Sequence, residues 1–109
     1  MNIQDKFGPL RKGLLEFAVL KIVSARKVYV ADILQRLAET DFGTGEGTLY
    51  PLLSRLKREG LVAYEWAESD AGPPRKYYQL TPAGKIQLQH LEMYWQQLHA
   101  TIKDLGELS

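Results

Sequence analysis

The sequence contains no cysteine and almost no excess of charge of either sign. Among its 109 residues, 14 are Lys or Arg and 13 are Asp or Glu, which leaves a net charge of +1. The lack of cysteine excludes disulfides, thiolate catalysis and cysteine-bound zinc. Because the charges nearly balance, overall charge gives no attraction to nucleic acid, and any such role depends on where the cations lie.

Long apolar runs are also missing. A membrane-spanning helix needs about 20 consecutive apolar residues, but the longest run begins at Leu14 and is interrupted by Glu16 and Lys21. The first residues do not follow the basic-then-apolar order of a signal peptide. We therefore expect a cytoplasmic protein with no membrane partner. The length, together with a hydrophobic content of 45%, predicts one folded domain.

Charge is unevenly distributed along the chain. Residues 1–27 carry six basic and two acidic side chains, whereas residues 86–109 have a net charge of −2. The near-neutral total therefore hides a basic beginning and an acidic end.

The first half of the chain has the apolar spacing of three helices. Residues 10–25 are apolar nearly all round, which predicts a helix that needs cover on more than one side, in part from a second subunit. Residues 30–38 predict an amphipathic helix. A third helix ends at Gly60, a residue favoured just past a helix end. Its start is open: Thr48 caps it, or it begins near Thr44 and Pro51 bends it.

The second half predicts a hairpin and then one long helix. Residues 61–68 and 75–80 alternate in polarity around a turn-rich segment, with Val62, Tyr64 and Trp66 on one face. Thr81 followed by proline is a strong helix start. The apolar residues beyond it recur at steps of three and four, the spacing of a coiled-coil seam: Leu88, Leu91, Trp95, Leu98, Ile102 and Leu105.

This order of elements predicts a mainly α fold with a β-hairpin wing, that is, a winged helix-turn-helix followed by a long dimerisation helix. We expect a DNA-binding domain over residues 1–81 and a dimerisation helix over residues 82–109, which form one compact unit with the first helix. The seam needs a partner, and a second copy is the simplest one. The first helix, through Leu14 and Phe17, is expected to complete that interface.

The basic residues of the third helix and the hairpin suggest an interface with double-stranded DNA. In a helix-turn-helix the second helix of the pair enters the major groove, and a charged wing can reach phosphates or the minor groove. The predicted DNA contacts are Thr48, Tyr50, Ser54, Arg55, Lys57, Arg58, Arg75 and Lys76. A solvated helix face or a protein-binding module without DNA affinity would have a similar pattern.

Two motifs stand out in the sequence: Gly47-Thr48-Leu49-Tyr50-Pro51, and Gly72-Pro73-Pro74-Arg75-Lys76-Tyr77-Tyr78 followed by Leu80-Thr81 and Gly84. Both closely resemble motifs of the PadR-like transcriptional regulators. The resemblance spans about residues 10–95, and the single short tail helix is similar to that of the family's small members. It implies a dimeric transcription factor, most often a repressor of a pseudo-palindromic operator that is released by a small molecule. At Val28-Tyr29-Val30 the sequence departs from the glycine- and tyrosine-containing run that is usual in the family.

The seam also contains a candidate effector site. Similar small members of the family that bind flat aromatic ligands have a tryptophan at the offset of Trp95, and paired indoles across a two-fold axis can stack a planar or phenolic molecule. Tyr94 and Met93 are its expected neighbours. The plainer interpretation is a bulky residue in the seam, and a small-molecule-sensing dimer is a further alternative. His90 and His99 do not have the spacing of a metal site, and we expect no cofactor and no enzymatic activity.

Overall fold

Four helices and three strands follow one another in the computed structural model, which describes residues 6–69 and 72–107. The elements are α1 (Gly8–Ala25), β1 (Val28–Tyr29), α2 (Val30–Ala38), α3 (Glu46–Arg58), β2 (Val62–Ser69), β3 (Gly72–Leu80) and α4 (Pro82–Leu105). This order confirms the predicted fold class, a mainly helical winged helix-turn-helix with a long final helix. Helix α1 begins two residues earlier than its apolar pattern predicts.

The core lies between α1, α2, α3 and the sheet. Each helix supplies apolar side chains at spacings of three or four residues, so they share one face. The buried hydrophobic side chains are Leu15, Val19, Leu20, Val23, Val28, Ile33, Leu37, Leu49, Leu53, Leu56, Val62, Tyr78 and Leu88. Tyr78 is neutral at ordinary pH, and burial raises its pKa above the usual 10.0 because the phenolate is poorly solvated there.

The start of α3 agrees with only one of the two sequence interpretations. Gly45 is the N-cap and Glu46 the first helical residue, so the prediction that Thr48 caps the helix is wrong. Pro51 consequently lies inside α3 rather than in its first turn. The helix ends as predicted: Gly60 has a φ of 76°, and the Leu61 amide donates to the Leu56 carbonyl at 2.9 Å.

The sheet has one strand more than the predicted hairpin. Its order is β1-β3-β2, with Val28 opposite Tyr78 and Tyr29 opposite Tyr77 in an antiparallel pair. A strand of two residues has no periodicity to detect, so β1 was missed. It extends the hairpin to three strands and ties the start of α2 to the wing, since α2 begins directly after Tyr29.

Strand β2 keeps its predicted length of eight residues but lies one residue later in the chain, whereas β3 is longer than its alternation predicts. Strand β3 begins at Gly72 rather than Arg75, and a register shift between Ala67 and Ser69 lies opposite its two prolines. A bulge accommodates proline because the pairing is already interrupted there. Trp66 shares its face with Val62 as predicted, but 63% of it is exposed, because the wing extends beyond the core. Of the turn-rich loop predicted over residues 69–74, residues 70–71 lie outside the described residues, and the others belong to the two strands.

Helix α4 starts as the sequence predicts. The Thr81 hydroxyl accepts from the Gly84 amide at 3.0 Å and donates to the Gly60 carbonyl, while the Thr81 amide donates to the Leu61 carbonyl at 3.1 Å. These bonds attach the first turn of α4 to the junction between α3 and β2. Leu88 differs from its expected role in the dimer seam: it is buried in the core of its own chain, because the first turns of α4 lie against α1 and the sheet.

Candidate nucleic-acid interface

One face of α3 is buried and the opposite face is polar and open. Leu49, Leu53 and Leu56 anchor the helix in the core. This leaves a row of exposed side chains that can donate hydrogen bonds: Thr48, Tyr50, Ser54, Lys57 and Arg58. An exposed helix that presents hydroxyls and cations has the chemistry required to read base edges and contact phosphates.

Aromatic rings hold the two wing cations in place. The Lys76 ammonium lies 4.4 Å from the ring centre of Tyr64 and 5.2 Å from that of Trp66. The Arg75 guanidinium lies 5.3 Å from the ring centre of Tyr29 on the other face of the sheet. Cation–π contacts reduce the freedom of both side chains. The wing therefore presents its two positive charges in restricted positions.

The same rings bring the wing and α3 together. Lys57 of α3 lies 5.2 Å from the Tyr64 ring centre, so it shares this ring with Lys76. An open cleft of about 410 Å³ lies beside these charges, between the wing, α3 and the start of α2. Its lining consists of Tyr29, Val30, Ala31, Tyr50, Trp66, Pro74, Arg75 and Lys76. Lys57 of α3 thus lies close to the wing cations Arg75 and Lys76. These cations together with the other exposed donors of α3 are called the basic surface below: Thr48, Tyr50, Ser54, Lys57, Arg58, Arg75 and Lys76.

Tyr29 is the residue of this region that the sequence pattern did not single out. Its ring stacks on Tyr77 with 3.9 Å between centres, and a hydrogen bond with Tyr77 raises the pKa of Tyr29. The Tyr29 amide also donates to the Asp32 carboxylate at 3.0 Å, which fixes the start of α2. Only the pairing of β1 with β3 brings Tyr29 to Arg75, and that pairing joins residues far apart in the chain.

The side chain of Arg55, which the sequence analysis placed among the DNA contacts, extends towards α1. Its guanidinium donates to Glu16 of α1 at 2.7 Å and to Glu59, the C-cap of α3, at 3.0 and 3.2 Å. These hydrogen bonds, that to Glu16 first, raise its pKa. Arg55 is next to the buried Leu56 and about 100° from it around α3, so it lies at the edge of the buried face, where its long side chain reaches Glu16. Arg55 is thus engaged in ion pairs within its own chain, and its contact with DNA stays a prediction.

The predicted dimer residues divide into two groups. Leu88 and Leu91 lie against the core of the same chain. The later seam residues are exposed on the single chain, by 43% at Trp95, 37% at Leu98, 69% at Ile102 and 79% at Leu105. Leu14 and Phe17 of α1 are half-buried. The apolar stripe of α4 beyond Trp95 therefore has no cover within the described part of the chain.

A small apolar groove lies between α1 and α4. Its volume is about 220 Å³, and its lining comprises Leu14, Phe17, Ala18, Lys21, Phe42 and Trp95. The groove joins Trp95 to both α1 residues that the sequence assigned to the interface. Tyr94 and Met93, the expected neighbours of Trp95, do not line it and are exposed. Phe42 was missed because it follows α2 in an irregular segment.

The described residues contain neither a cluster of metal ligands nor a membrane-spanning helix. Over residues 6–69 and 72–107, no three His, Asp or Glu side chains come together as a metal site would require. None of the helices in this part of the chain is long and apolar enough to cross a bilayer.

Comparison with known proteins agrees with this architecture. Residues 19–90 match the model of the transcriptional regulator PadR-like family. A PadR-like transcription factor from Bacteroides fragilis is 43% identical, with 94% of this chain and 99% of that one covered and a TM-score of 0.81. A PadR family transcriptional regulator from Eggerthella lenta is 32% identical, with 98% and 94% covered and a TM-score of 0.86.

A relative found by sequence similarity belongs to the same functional class of proteins by its name. The transcriptional regulator Rv3488 of Mycobacterium tuberculosis is 32% identical over 78 residues, which cover 72% of each chain. The family model, the sequence relative and the structural neighbours all agree with the resemblance carried by the α3 and wing motifs. The chain therefore belongs to the PadR-like family of transcriptional regulators.

Proposed function

We propose that this regulator is a cytoplasmic homodimeric repressor that binds a pseudo-palindromic operator through α3 and the wing. The observation that carries the proposal is the basic surface, where Lys57 and Lys76 share the Tyr64 ring. Two elements that are distant in sequence converge there with charges of one sign. A double-stranded polyanion is the ligand that such a surface fits.

Each part of the basic surface takes a distinct role in this proposal. Helix α3 enters the major groove, where Thr48, Tyr50 and Ser54 bond base edges and Arg58 reaches guanine or phosphate. Arg75 and Lys76 contact phosphates beside that groove. Lys57 lies between the two groups and bonds the backbone that separates them.

The dimer follows from α4. Its 24 residues span about 36 Å, and its apolar stripe beyond Trp95 lacks cover in the described chain. A two-fold pairing covers both copies of the stripe at once. It also presents two α3 helices, which on a dimeric site lie about 34 Å or a multiple of it apart, so the half-sites are spaced by about 10 base pairs or a multiple.

DNA binding is tested by selecting duplexes from a random-sequence library with the wild-type protein and titrating one of them across a salt series. Replacing Arg75 and Lys76 together by Ala lowers the slope of log affinity against log salt by about two units. The matched control is Lys85→Ala with Lys103→Ala, which removes the same charge from α4 and leaves the slope unchanged. A protein that enriches no duplex, or equal slopes in both double variants, contradicts the proposal.

Release by a small molecule is the second part of the proposal. A planar aromatic or phenolic compound fits the apolar groove at Trp95, next to the helix that the dimer uses. Such a ligand must bind the DNA-free form more tightly than the DNA-bound form, because otherwise it shifts nothing. Couplings of this kind are typically about 1–3 kcal/mol.

A panel of phenolic acids and flat aromatic dyes tests this release. Trp95→Phe removes the fluorescence quenching and weakens the loss of operator affinity that the ligand causes, whereas the control Trp66→Phe retains both effects. Because both tryptophans are part-exposed, each single-tryptophan variant reports on one site. If no compound alters either emission or operator affinity, Trp95 serves only the dimer seam.

A further inference from the structure

Arg55 is an arginine on the DNA-reading helix whose charge is already engaged elsewhere. Its guanidinium spans two carboxylates, Glu16 on α1 at 2.7 Å and Glu59, the C-cap of α3, at 3.0 Å. Glu16 is the less exposed partner, with 23% of its side chain accessible compared with 46% for Glu59. The pair to Glu16 therefore loses less to solvent screening than the pair to Glu59.

The two ion pairs differ in what they connect. The pair with Glu59 joins Arg55 to the C-cap of the same helix, four residues away, so it makes no connection between α3 and another helix. The pair with Glu16 joins residues 39 apart in sequence and bridges α1 to α3. Arg55 presents its planar, multiply donating head to both carboxylates, a geometry that a lysine does not reproduce.

Helix α1 has a second link of the same kind on another side. Lys21 pairs with Glu92 of α4 at 2.6 Å, and Phe17, next to Glu16, lines the apolar groove with Trp95. Helix α1 thus touches both the helix proposed to form the dimer and the helix proposed to read DNA. A movement of α1 at the groove is therefore transmitted to α3 through the contacts between these two helices, which include the Glu16–Arg55 ion pair.

We propose that Glu16 and Arg55 form a positioning link that sets the orientation of α3 relative to α1, and that Arg55 orients the DNA-reading helix instead of contacting DNA. The inference rests on the proposed function, since it assigns α3 to DNA. Arg55 therefore differs from the other basic residues of α3: Lys57 and Arg58 contact DNA in this proposal, whereas Arg55 holds α3 in position against α1.

Charge reversal separates this role from a phosphate contact. The four proteins are wild type, Arg55→Glu, Glu16→Arg and the double variant, and each is titrated with a library-selected duplex and a scrambled duplex. Both single variants lose discrimination between the duplexes by about tenfold, because like charges now face each other, and the double variant regains most of it. A glutamate at position 55 cannot replace a phosphate contact, so recovery supports the link.

Neutral variants provide the matched control. Glu16→Gln and Glu59→Gln each remove one carboxylate from the same arginine, but only Glu16→Gln opens the bridge between helices. We expect severalfold lower discrimination in Glu16→Gln and wild-type behaviour in Glu59→Gln. The salt slope of Arg55→Gln stays at the wild-type value, because no phosphate contact is lost.

Three results would overturn the link: a salt slope lower by about one unit in Arg55→Gln, no recovery in the reversed pair, or full discrimination in every variant. Urea unfolding of the same four charge-reversal proteins requires no DNA. There the two single substitutions are non-additive, and the double variant is more stable than either single one. If the wild type binds no duplex but this non-additivity appears, the proposed function fails while the bridge between α1 and α3 stands; additive losses overturn the bridge itself.

Discussion

The basic surface and the outer half of α4, residues 95–105, differ in how far one chain completes them. On the basic surface, Arg75 and Lys76 are already held by rings of their own chain. On the outer half of α4, Ile102 and Leu105 are 69% and 79% exposed. The first surface is prepared by intrachain contacts before any ligand arrives. The second consists of apolar groups that only another apolar surface can remove from water.

The difference shows that the same periodic pattern can serve two purposes. Leu88 and Leu98 belong to one unbroken seam in the sequence, but Leu88 is 7% exposed and Leu98 is 37% exposed. Helix α4 lies against the rest of its own chain as far as Trp95, which borders a groove with α1, and then extends past the core. The seam therefore contributes to folding at its start and, in our proposal, to assembly at its end.

The largest expected effect comes from substituting the exposed end of this seam, in the outer half of α4. Leu98→Ala with Ile102→Ala should weaken the dimer by about 2–5 kcal/mol per buried side chain, counted in both copies, because each leaves a cavity in the interface. Sedimentation equilibrium should show a folded monomer at concentrations where the wild type is dimeric.

Leu88→Ala is the matched control for this pair. Leu88→Ala should lower the free energy of unfolding by about 2–5 kcal/mol, because it leaves a cavity in the core, and it should leave the association of the folded chains unchanged. If Leu88→Ala dissociates the dimer, or if the wild type is a well-folded monomer at micromolar concentration, the division of α4 into two halves is wrong.

A smaller effect is expected at the junction from which both regions extend. Gly84 lies in the first turn of α4, where a Cβ would overlap the Leu61 carbonyl oxygen, a backbone atom that cannot rotate away. Gly84→Ala should therefore cost about 1–3 kcal/mol of stability, measured by urea unfolding, because the first turn of α4 must separate from the start of β2.

Gly47→Ala provides the control for this substitution. Gly47 lies in α3 with nothing within 4 Å of its added Cβ, so alanine should stabilise the protein by about 0.5–1 kcal/mol through helix propensity. A Gly84→Ala protein as stable as wild type would show that α4 is not held tightly at this junction.

The smallest effect concerns Tyr78, in the buried part of the sheet beneath the wing. Burial raises its pKa above 10.0, so the folded protein keeps the phenol protonated where the unfolded chain ionises it. The unfolded state then binds fewer protons, and stability falls as pH rises from about 10 through the raised pKa. Tyr78→Phe should show a shallower loss of stability above pH 10, measured by urea unfolding at pH 8 and pH 10.5. Equal slopes in both proteins would contradict this.

Local sequence determined most of the elements and the family. Hydrophobic periodicity predicts α1, α2 and α4, and the Thr81 cap and the Gly60 helix end depend on neighbouring residues only. The motifs around Tyr50 and Lys76 identify the family because they are specific and contiguous. These features are encoded over a few residues, where backbone geometry and side-chain hydrogen bonds act directly.

Tertiary structure decided the features that depend on residues distant in sequence. Strand β1 exists because Val28 and Tyr29 pair with Tyr78 and Tyr77, about 50 residues later. Arg55 appears in sequence as one more exposed cation of a recognition helix, and only the packing of α3 beside α1 gives it Glu16 as a partner. Periodicity tells which residues share a face of a helix, but what that face meets is set by packing between elements, which is why one seam on α4 is core at Leu88 and surface at Leu98.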